Sequence, residues 1–143
     1  ERLKKKGLIV VDVGSGSGIL SIAAARLGAA EVLGVDIDGV AVENARENVM
    51  QNGVSDIVKI RKGSIGDVRK RFDVVVANID LRRLSRMRRP LIHHLKNGGF
   101  LILSGILEGD QERMLRYYME TRLLKWAKVT KDEEWVCLTF QKK

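Results

Sequence analysis

Apolar positions along this chain follow two alternating patterns. Short runs that are nearly all apolar or β-branched predict strands, at residues 8–13, 31–36, 57–60, 72–77 and 100–103. Segments in which apolar residues recur every three or four positions predict helices, at residues 18–27, 40–50, 81–95 and 110–122. Pro90 falls inside the third helical segment, and we expect it to kink that helix or divide it in two.

The order of these segments predicts an α/β fold. Strands that are apolar throughout, each followed by a helix, indicate a parallel sheet covered by helices on both faces. Residues 123–129 and 135–140 form a predicted hairpin, and because no crossover helix fits between them, one of the two must be antiparallel to its neighbours. We therefore predict a three-layer, Rossmann-like α/β fold with a seven-stranded, mostly parallel sheet and an antiparallel last strand.

The composition agrees with one globular domain. The chain has 143 residues, of which 45% are hydrophobic, so we predict a single domain over residues 1–143. No apolar run approaches the roughly 20 residues that cross a bilayer, and the charged residues 1–6 do not resemble a signal peptide. We expect a cytoplasmic protein without a membrane partner.

Cysteine and histidine form no recognisable motif in this sequence. Cys137 is the only cysteine; it lies in a predicted strand, where we expect a buried apolar residue. His93 and His94 are adjacent, so they point about 100° apart on a helix and cannot chelate one ion. We interpret them as surface or packing residues and predict no metal site.

Most of the excess positive charge lies in one segment. The net charge is +8, and no acidic residue occurs between Asp80 and Glu108. Five arginines fall in that interval: Arg82, Arg83, Arg86, Arg88 and Arg89. Such a field attracts RNA, a ribosomal surface or an acidic protein. A solvated helix face gives the same pattern, so the sequence alone leaves both explanations open.

The first predicted strand runs into a glycine-rich segment, VDVGSGSG, at residues 11–18. Ligands of an open parallel sheet bind beyond the carboxyl ends of its strands. Glycines there let the backbone turn tightly and approach a ligand closely, and the N–H groups of the following helix point into the same space. We therefore predict a ligand at Gly14, Ser15, Gly16 and Gly18.

The residues around this segment favour one class of ligand. Ile19 stands where a dinucleotide-binding G-x-G-x-x-G pattern has its third glycine. A carboxylate at Asp12 would repel a pyrophosphate and favour a ligand with an ammonium and a sulfonium. Asp36, which ends the second strand, can accept hydrogen bonds from ribose hydroxyls, and Ile37 could cover an adenine face. We predict S-adenosylmethionine as the cofactor, rather than the NAD of an oxidoreductase.

Asn78 is the candidate catalytic residue. It follows the fourth predicted strand, so it lies at the same edge of the sheet. Its side-chain amide could hold an amine with the lone pair facing the cofactor methyl, and positioning alone can supply much of the acceleration of such a transfer. The alternative is that Asn78 caps the next helix.

Several stretches resemble the catalytic domain of the ribosomal protein L11 methyltransferases. They are GSGSGILSIAAARLGA followed by GVDID, then VVVANI, GGFLILSGIL and the closing EWVCLTF. The resemblance implies a methyltransferase fold, methylation of amino groups on a ribosomal protein, and cofactor binding by a set that matches the family motif: Asp12, Gly14, Ser15, Gly16, Gly18 and Asp36. It also implies contact of Asn78 with substrate or cofactor.

The chain departs from that family in three places. The family has a separate N-terminal domain that captures the substrate, whereas this chain begins at the catalytic domain. The third strand ends at Gly63-Ser64-Ile65, where an acidic residue usually lies near the adenine, so Ser64 and Ile65 are the candidates there. The helix after Asn78 is unusually basic. Two alternatives to an N-methyltransferase therefore stay open: an RNA methyltransferase, and a cofactor-binding module that needs a substrate-recruiting partner.

Overall fold

The computed structural model describes residues 7–143; the charged segment 1–6, for which we predict no signal peptide, lies outside this range. Seven strands occur in the described part: β1 (Ile9–Val13), β2 (Glu31–Asp36), β3 (Val58–Lys62), β4 (Phe72–Asn78), β5 (Leu95–Leu107), β6 (Leu124–Asp132) and β7 (Trp135–Lys142). Five α-helices accompany them: α1 (Ile19–Arg26), α2 (Gly39–Gln51), α3 (Leu81–Arg86), α4 (Arg88–His93) and α5 (Gln111–Met119).

The strands form one sheet in the order β3-β2-β1-β4-β5-β7-β6. The first five strands pair in parallel, and β7 is antiparallel to both β5 and β6. This arrangement confirms the predicted mostly parallel sheet with an antiparallel last strand. The strand order reverses between β1 and β4, which opens a crevice beyond their carboxyl ends.

Apolar side chains cover both faces of the sheet, which gives three layers. On one face, Leu84 of α3, Leu91 of α4 and Tyr118 of α5 belong to a buried cluster with Val11 of β1. On the other, α1 and α2 contribute to a second cluster that includes Val10. Neighbouring residues of β1 thus face opposite helix layers, as continuous apolar strands predict.

The helical segment at residues 81–95 is divided, but not at its proline. The break lies at Met87, which ends α3 and begins α4. Pro90 lies in the first turn of α4, where its missing N–H removes no bond because the first N–H groups of a helix have no partner inside it. Of the two expected outcomes, a kink or a division, the structure shows the division, and its position differs by three residues from Pro90.

Two single-residue expectations have different outcomes. His94 is buried, and its ring nitrogens lie 2.7 Å from the carbonyl oxygen of Pro90 and 2.6 Å from that of Val68. It is therefore a packing residue, as predicted. Cys137 is half-buried rather than buried, because it lies on the face of β7 opposite to the buried Val136 and Leu138. No helix in residues 7–143 is long and apolar enough to span a bilayer.

Candidate functional site

The glycine-rich segment forms a tight turn between β1 and α1. Gly14, Gly16 and Gly18 all have positive φ, at 73°, 53° and 87°, in the region that disfavours side chains. The N–H groups of Gly14 and Ser15 both donate to the carbonyl of Val35. A Cβ on Gly14 would lie 2.3 Å from Cγ2 of Ile79. Position 14 therefore requires glycine for two reasons: its positive φ, and the packing of the turn against the segment after β4.

The carboxylate of Asp36 holds this turn from the neighbouring strand. Its Oδ2 accepts the N–H of Gly16 at 2.9 Å, and its Oδ1 accepts the N–H of Asp38 at 2.9 Å. Each carboxylate oxygen has a second lone pair, so Asp36 can still accept hydroxyl donors from a ligand. The sequence predicted the ligand contact and missed the bond to the turn.

Asp12 lies beneath the turn and not in its mouth. Its side chain is only 2% exposed; Oδ2 accepts the hydroxyl of Ser21 at 2.7 Å, and Oδ1 has no partner in the described part of the chain. Burial raises the pKa of Asp12 to about 6, although the bonds from Ser21 oppose the shift. The hydroxyl of Ser15 is also buried, with no partner among residues 7–143. Asp12 can therefore act on a ligand through its field, at pH values above about 6.

A cavity of about 330 Å³ opens beyond the carboxyl ends of β1, β2 and β3, within the size range of small-molecule sites. Its walls combine residues from four segments of the chain: Val13, Gly14, Val35, Asp36, Ile37, Gly63, Ser64, Ile65, Gly66, Arg83, Arg86, Met87 and Pro90. The structure thus brings together five of the predicted site residues, namely Gly14, Asp36, Ile37, Ser64 and Ile65. The predicted residues Asp12, Ser15, Gly16, Gly18 and Asn78 lie outside these walls.

An acidic residue does follow β3, but it faces its own turn. Asp67 Oδ2 accepts the backbone N–H of Ser64 at 3.0 Å and the Ser64 hydroxyl at 3.4 Å. This is a capping box for the 3₁₀ turn Ile65–Asp67, and the S-x-x-D spacing in the sequence could have indicated it. Ser64 consequently contributes a hydroxyl that is already engaged.

Asn78 ends β4 with an exposed side chain. No side-chain hydrogen bond to Asn78 occurs within residues 7–143. The cap of α3 is Asp80, whose Oδ1 accepts the N–H of Arg83 at 2.9 Å, so the alternative that Asn78 caps this helix is wrong. A Cβ on Gly105 of β5 would lie 2.6 Å from Oδ1 of Asn78. Gly105 therefore leaves the space that the amide occupies.

The five clustered arginines face different surroundings. Arg88 donates to the carbonyl of Tyr117 at 2.8 Å, its guanidinium lies 3.9 Å from the centre of the Tyr117 ring, and Glu120 is 3.8 Å away. Arg83 is half-buried and Arg86 is exposed, and both line the cavity. Arg82 and Arg89 are exposed and do not line it. The segment is thus not one uniform basic face.

Comparison with known proteins gives consistent matches. A family model described as ribosomal protein L11 methyltransferase (PrmA) matches residues 1–143. The ribosomal protein L11 methyltransferase of Geobacter metallireducens is 43% identical over 143 residues, which cover 99% of this chain and 47% of that protein. That of Syntrophotalea carbinolica is 42% identical over 133 residues, covering 93% and 43%. The chain spans about half the length of these curated relatives.

Solved structures give the same picture. The crystal structure of a ribosomal protein L11 methylase from Lactobacillus delbrueckii subsp. bulgaricus superposes with a TM-score of 0.90 at 35% identity, covering 99% of this chain and 73% of that one. An RNA methyltransferase from Salinibacter ruber, in complex with S-adenosyl-L-homocysteine, has a TM-score of 0.73 at 21% identity and covers 94% and 80%. The second likeness establishes the fold alone.

Proposed function

Because the chain belongs to the ribosomal protein L11 methyltransferase family, we propose that it transfers methyl groups from S-adenosylmethionine to amino groups of a ribosomal protein. The observation that carries this proposal is the bond between Gly16 and Asp36 at the edge of the cavity. It holds the glycine turn against a carboxylate that would bind the ribose.

The residues around the cavity suit this cofactor chemically. Asp36 would accept the ribose hydroxyls through its remaining lone pairs, and Ile37 and Ile65 would contact the adenine faces. The backbone of Gly14, Ser15, Gly16 and Gly18 would pass close to the amino-acid part, where side chains would obstruct it. When bound, S-adenosylmethionine supplies a methyl group activated by a sulfonium.

Asp12 would act from beneath the turn. Since its pKa is about 6, the carboxylate is mainly ionised at neutral pH, and its Oδ1 has no proton donor in the described residues. A buried negative charge favours a cationic ligand and disfavours a pyrophosphate. This electrostatic preference separates the proposed cofactor from NAD.

Asn78 would position the acceptor amine. Its carbonyl oxygen can accept an N–H of the amine, so that the nitrogen lone pair faces the methyl group. Methyl transfer to a neutral amine needs no protein nucleophile, and orientation lowers the barrier by removing the entropy of alignment. The absence of other bonds to the Asn78 amide in the described part leaves it free for this role.

The nature of the substrate rests on the family. Protein amino groups are the proposed acceptor, and a ribosomal substrate would place the reaction in the cytoplasm. RNA contact through the arginine cluster receives less support, because Arg88 is bonded to Tyr117 and Glu120 while Arg83 and Arg86 line the cavity. A phosphate-binding surface would then depend on Arg82 and Arg89.

Calorimetry and a methyl-transfer assay test the proposal. S-adenosylmethionine should bind and NAD should not, and label should pass from the cofactor to ribosomal protein L11. Equal binding of NAD, or binding of neither compound, would contradict the cofactor assignment. Binding without transfer, restored by adding a second protein fraction that recruits the substrate, would support the alternative of a cofactor-binding module.

A further inference from the structure

One wall of the cavity is formed by helices rather than by the sheet edge. Arg83 and Arg86 of α3, with Met87 and Pro90 next to them, line the same cavity as Asp36. We infer that Arg83 and Arg86 bind the purine ring of the cofactor. The inference rests on the proposed function, because it concerns the nucleoside end of the same site.

The two guanidinium groups have no protein partner in the part of the chain that the structure describes, although Arg86 is exposed and therefore hydrated. In residues 7–143, neither Arg83 nor Arg86 makes a side-chain hydrogen bond or an ion pair. Arg83 is half-buried, so its charge is partly removed from solvent without a compensating partner. Such a group gains from a ligand that accepts its N–H donors.

Arg88 provides the contrast within the same cluster. Its guanidinium is bonded to the Tyr117 carbonyl and lies over the Tyr117 ring. The structure therefore separates one arginine that holds α5 against α4 from two that face the cavity. Sequence position alone does not make this distinction.

Helix α3 is held firmly enough to present these side chains in a fixed place. Asp80 caps its first turn through the N–H of Arg83. At the other end, the hydroxyl of Tyr118 donates to the carbonyl of Leu84 at 2.6 Å, and that of Tyr117 donates to the carbonyl of Ser85 at 3.0 Å. A supported helix keeps the binding groups in place before the ligand arrives.

The remaining polar groups of the cavity show why a purine fits. Besides the two arginines, only Asp36 and Ser64 among the lining residues have polar side chains. Asp36 would take the ribose, and the Ser64 hydroxyl is bonded to Asp67. The ring nitrogens of a purine are hydrogen-bond acceptors, so their donors must come from the arginines or from the backbone.

A guanidinium also suits the flat shape of the base. It is planar, offers five N–H donors and stacks on aromatic faces. Two arginines could instead bind a phosphate, but the carboxylate of Asp36 in the same cavity would repel that group. Since the charged lining residues are two arginines and one aspartate, the argument for a base rests on the flat shape of the guanidinium groups and on the repulsion between Asp36 and a phosphate.

The test measures affinities for two ligands by calorimetry. S-adenosylhomocysteine contains purine, ribose and amino acid, whereas 5′-methylthioadenosine contains only purine and ribose. Arg83→Ala and Arg86→Ala should each lower the affinity for both ligands by the same factor. This factor should be about tenfold or more, because a bond to a charged donor is lost. Arg86→Lys, which keeps the charge and loses the planar fork, should recover only part of that affinity.

Arg82 and Arg89, which are exposed but do not line the cavity, supply the matched controls. Their alanine variants remove the same charge from the same segment and should change affinity by less than about twofold. If Arg83→Ala and Arg86→Ala behave like these controls while the unmodified protein binds both ligands, the inference is wrong and the proposed function stands. A loss confined to S-adenosylhomocysteine would assign the arginines to its carboxylate and also overturn the inference. Failure of the unmodified protein to bind either ligand would overturn both.

Discussion

The backbone N–H of Gly16 donates to Oδ2 of Asp36 across 2.9 Å, although 20 residues separate them in the chain. The bond joins the turn after β1 to the end of β2, and these strands are direct neighbours in the sheet. A single carboxylate thus shapes the turn and stays available to a ligand. Loss of this side chain should therefore weaken ligand binding and loosen the turn.

Asp36→Ala should weaken S-adenosylhomocysteine binding by roughly tenfold to a hundredfold, because hydrogen bonds to a charged acceptor contribute about 1.5–3 kcal/mol. The amide of Gly16 should also exchange with solvent faster, since its acceptor is gone. Calorimetry measures the first effect and hydrogen exchange the second. Unchanged affinity would remove Asp36 from the site.

Asp38→Ala is the control for Asp36. Asp38 caps α2 by accepting the N–H of Val40 at 3.0 Å and does not line the cavity. Its loss should lower the free energy of unfolding by about 1 kcal/mol, as for other helix caps, and leave ligand affinity unchanged. The pair of variants separates general destabilisation from loss of a ligand contact.

Asp12→Asn should stabilise the protein at neutral pH. The pKa of Asp12 is raised in the folded state to about 6, because burial favours the neutral carboxyl. This neutral form contributes fully to the free energy of unfolding below about pH 4, and the contribution is lost as the pH rises through 6. Asparagine stays neutral, and the variant should gain up to about 3 kcal/mol at pH 7.5 and nothing below pH 4. Urea unfolding across this range measures the difference, and parallel pH profiles would contradict the assignment.

The same variant should bind the cofactor less selectively. The carboxylate of Asp12 attracts the positive sulfonium of S-adenosylmethionine, whereas S-adenosylhomocysteine has a neutral thioether. Asp12→Asn should therefore lower the affinity for S-adenosylmethionine more than that for S-adenosylhomocysteine at pH 7.5. An equal loss of affinity for both ligands would show that the charge of Asp12 does not interact with the sulfonium.

Gly105→Ala should lower kcat while the cofactor Kd stays nearly constant. The added Cβ would lie 2.6 Å from Oδ1 of Asn78 and displace the amide that we assign to the acceptor amine. Steady-state kinetics and calorimetry separate the two effects. Asn78→Ala should reproduce the loss of kcat.

Gly98→Ala is a matched control in the same strand. Gly98 has a φ of 80° and Gly105 a φ of 77°, but a Cβ on Gly98 meets nothing within 4 Å. Both variants therefore carry a similar backbone strain, of about 1–2 kcal/mol, and only one displaces Asn78. Equal kcat values in the two variants would contradict the positioning role of Gly105.

Tyr118→Phe should destabilise the fold by about 1–3 kcal/mol, because the buried carbonyl of Leu84 would lose its donor. The Tyr118 hydroxyl is also buried, and burial raises the pKa of Tyr118. Tyr117→Phe should cost less, since that residue is half-buried and water can replace its bond to Ser85. Chemical unfolding measures both, and equal losses would contradict this ranking.

Local patterns determined the fold and the position of the candidate site. Apolar runs and helical spacing are set by neighbouring residues, so they predicted seven strands, their directions and two helix layers. The turn at Gly14 and the carboxylate of Asp36 follow from the same local rules, because each ends a strand at one edge of a parallel sheet. The sequence also predicted an interruption of the helix at residues 81–95, as a kink or a division, although not its position.

Tertiary packing decided what each of these side chains contacts. Periodicity does not distinguish Arg88, which is bonded to Tyr117, from Arg86, which lines the cavity, because both follow from how α3, α4 and α5 pack together. The burial of Asp12 beneath its own turn and the space that Gly105 leaves for Asn78 likewise depend on elements distant in sequence. A sequence pattern specifies which face of an element is apolar, but only the packed elements determine which groups meet.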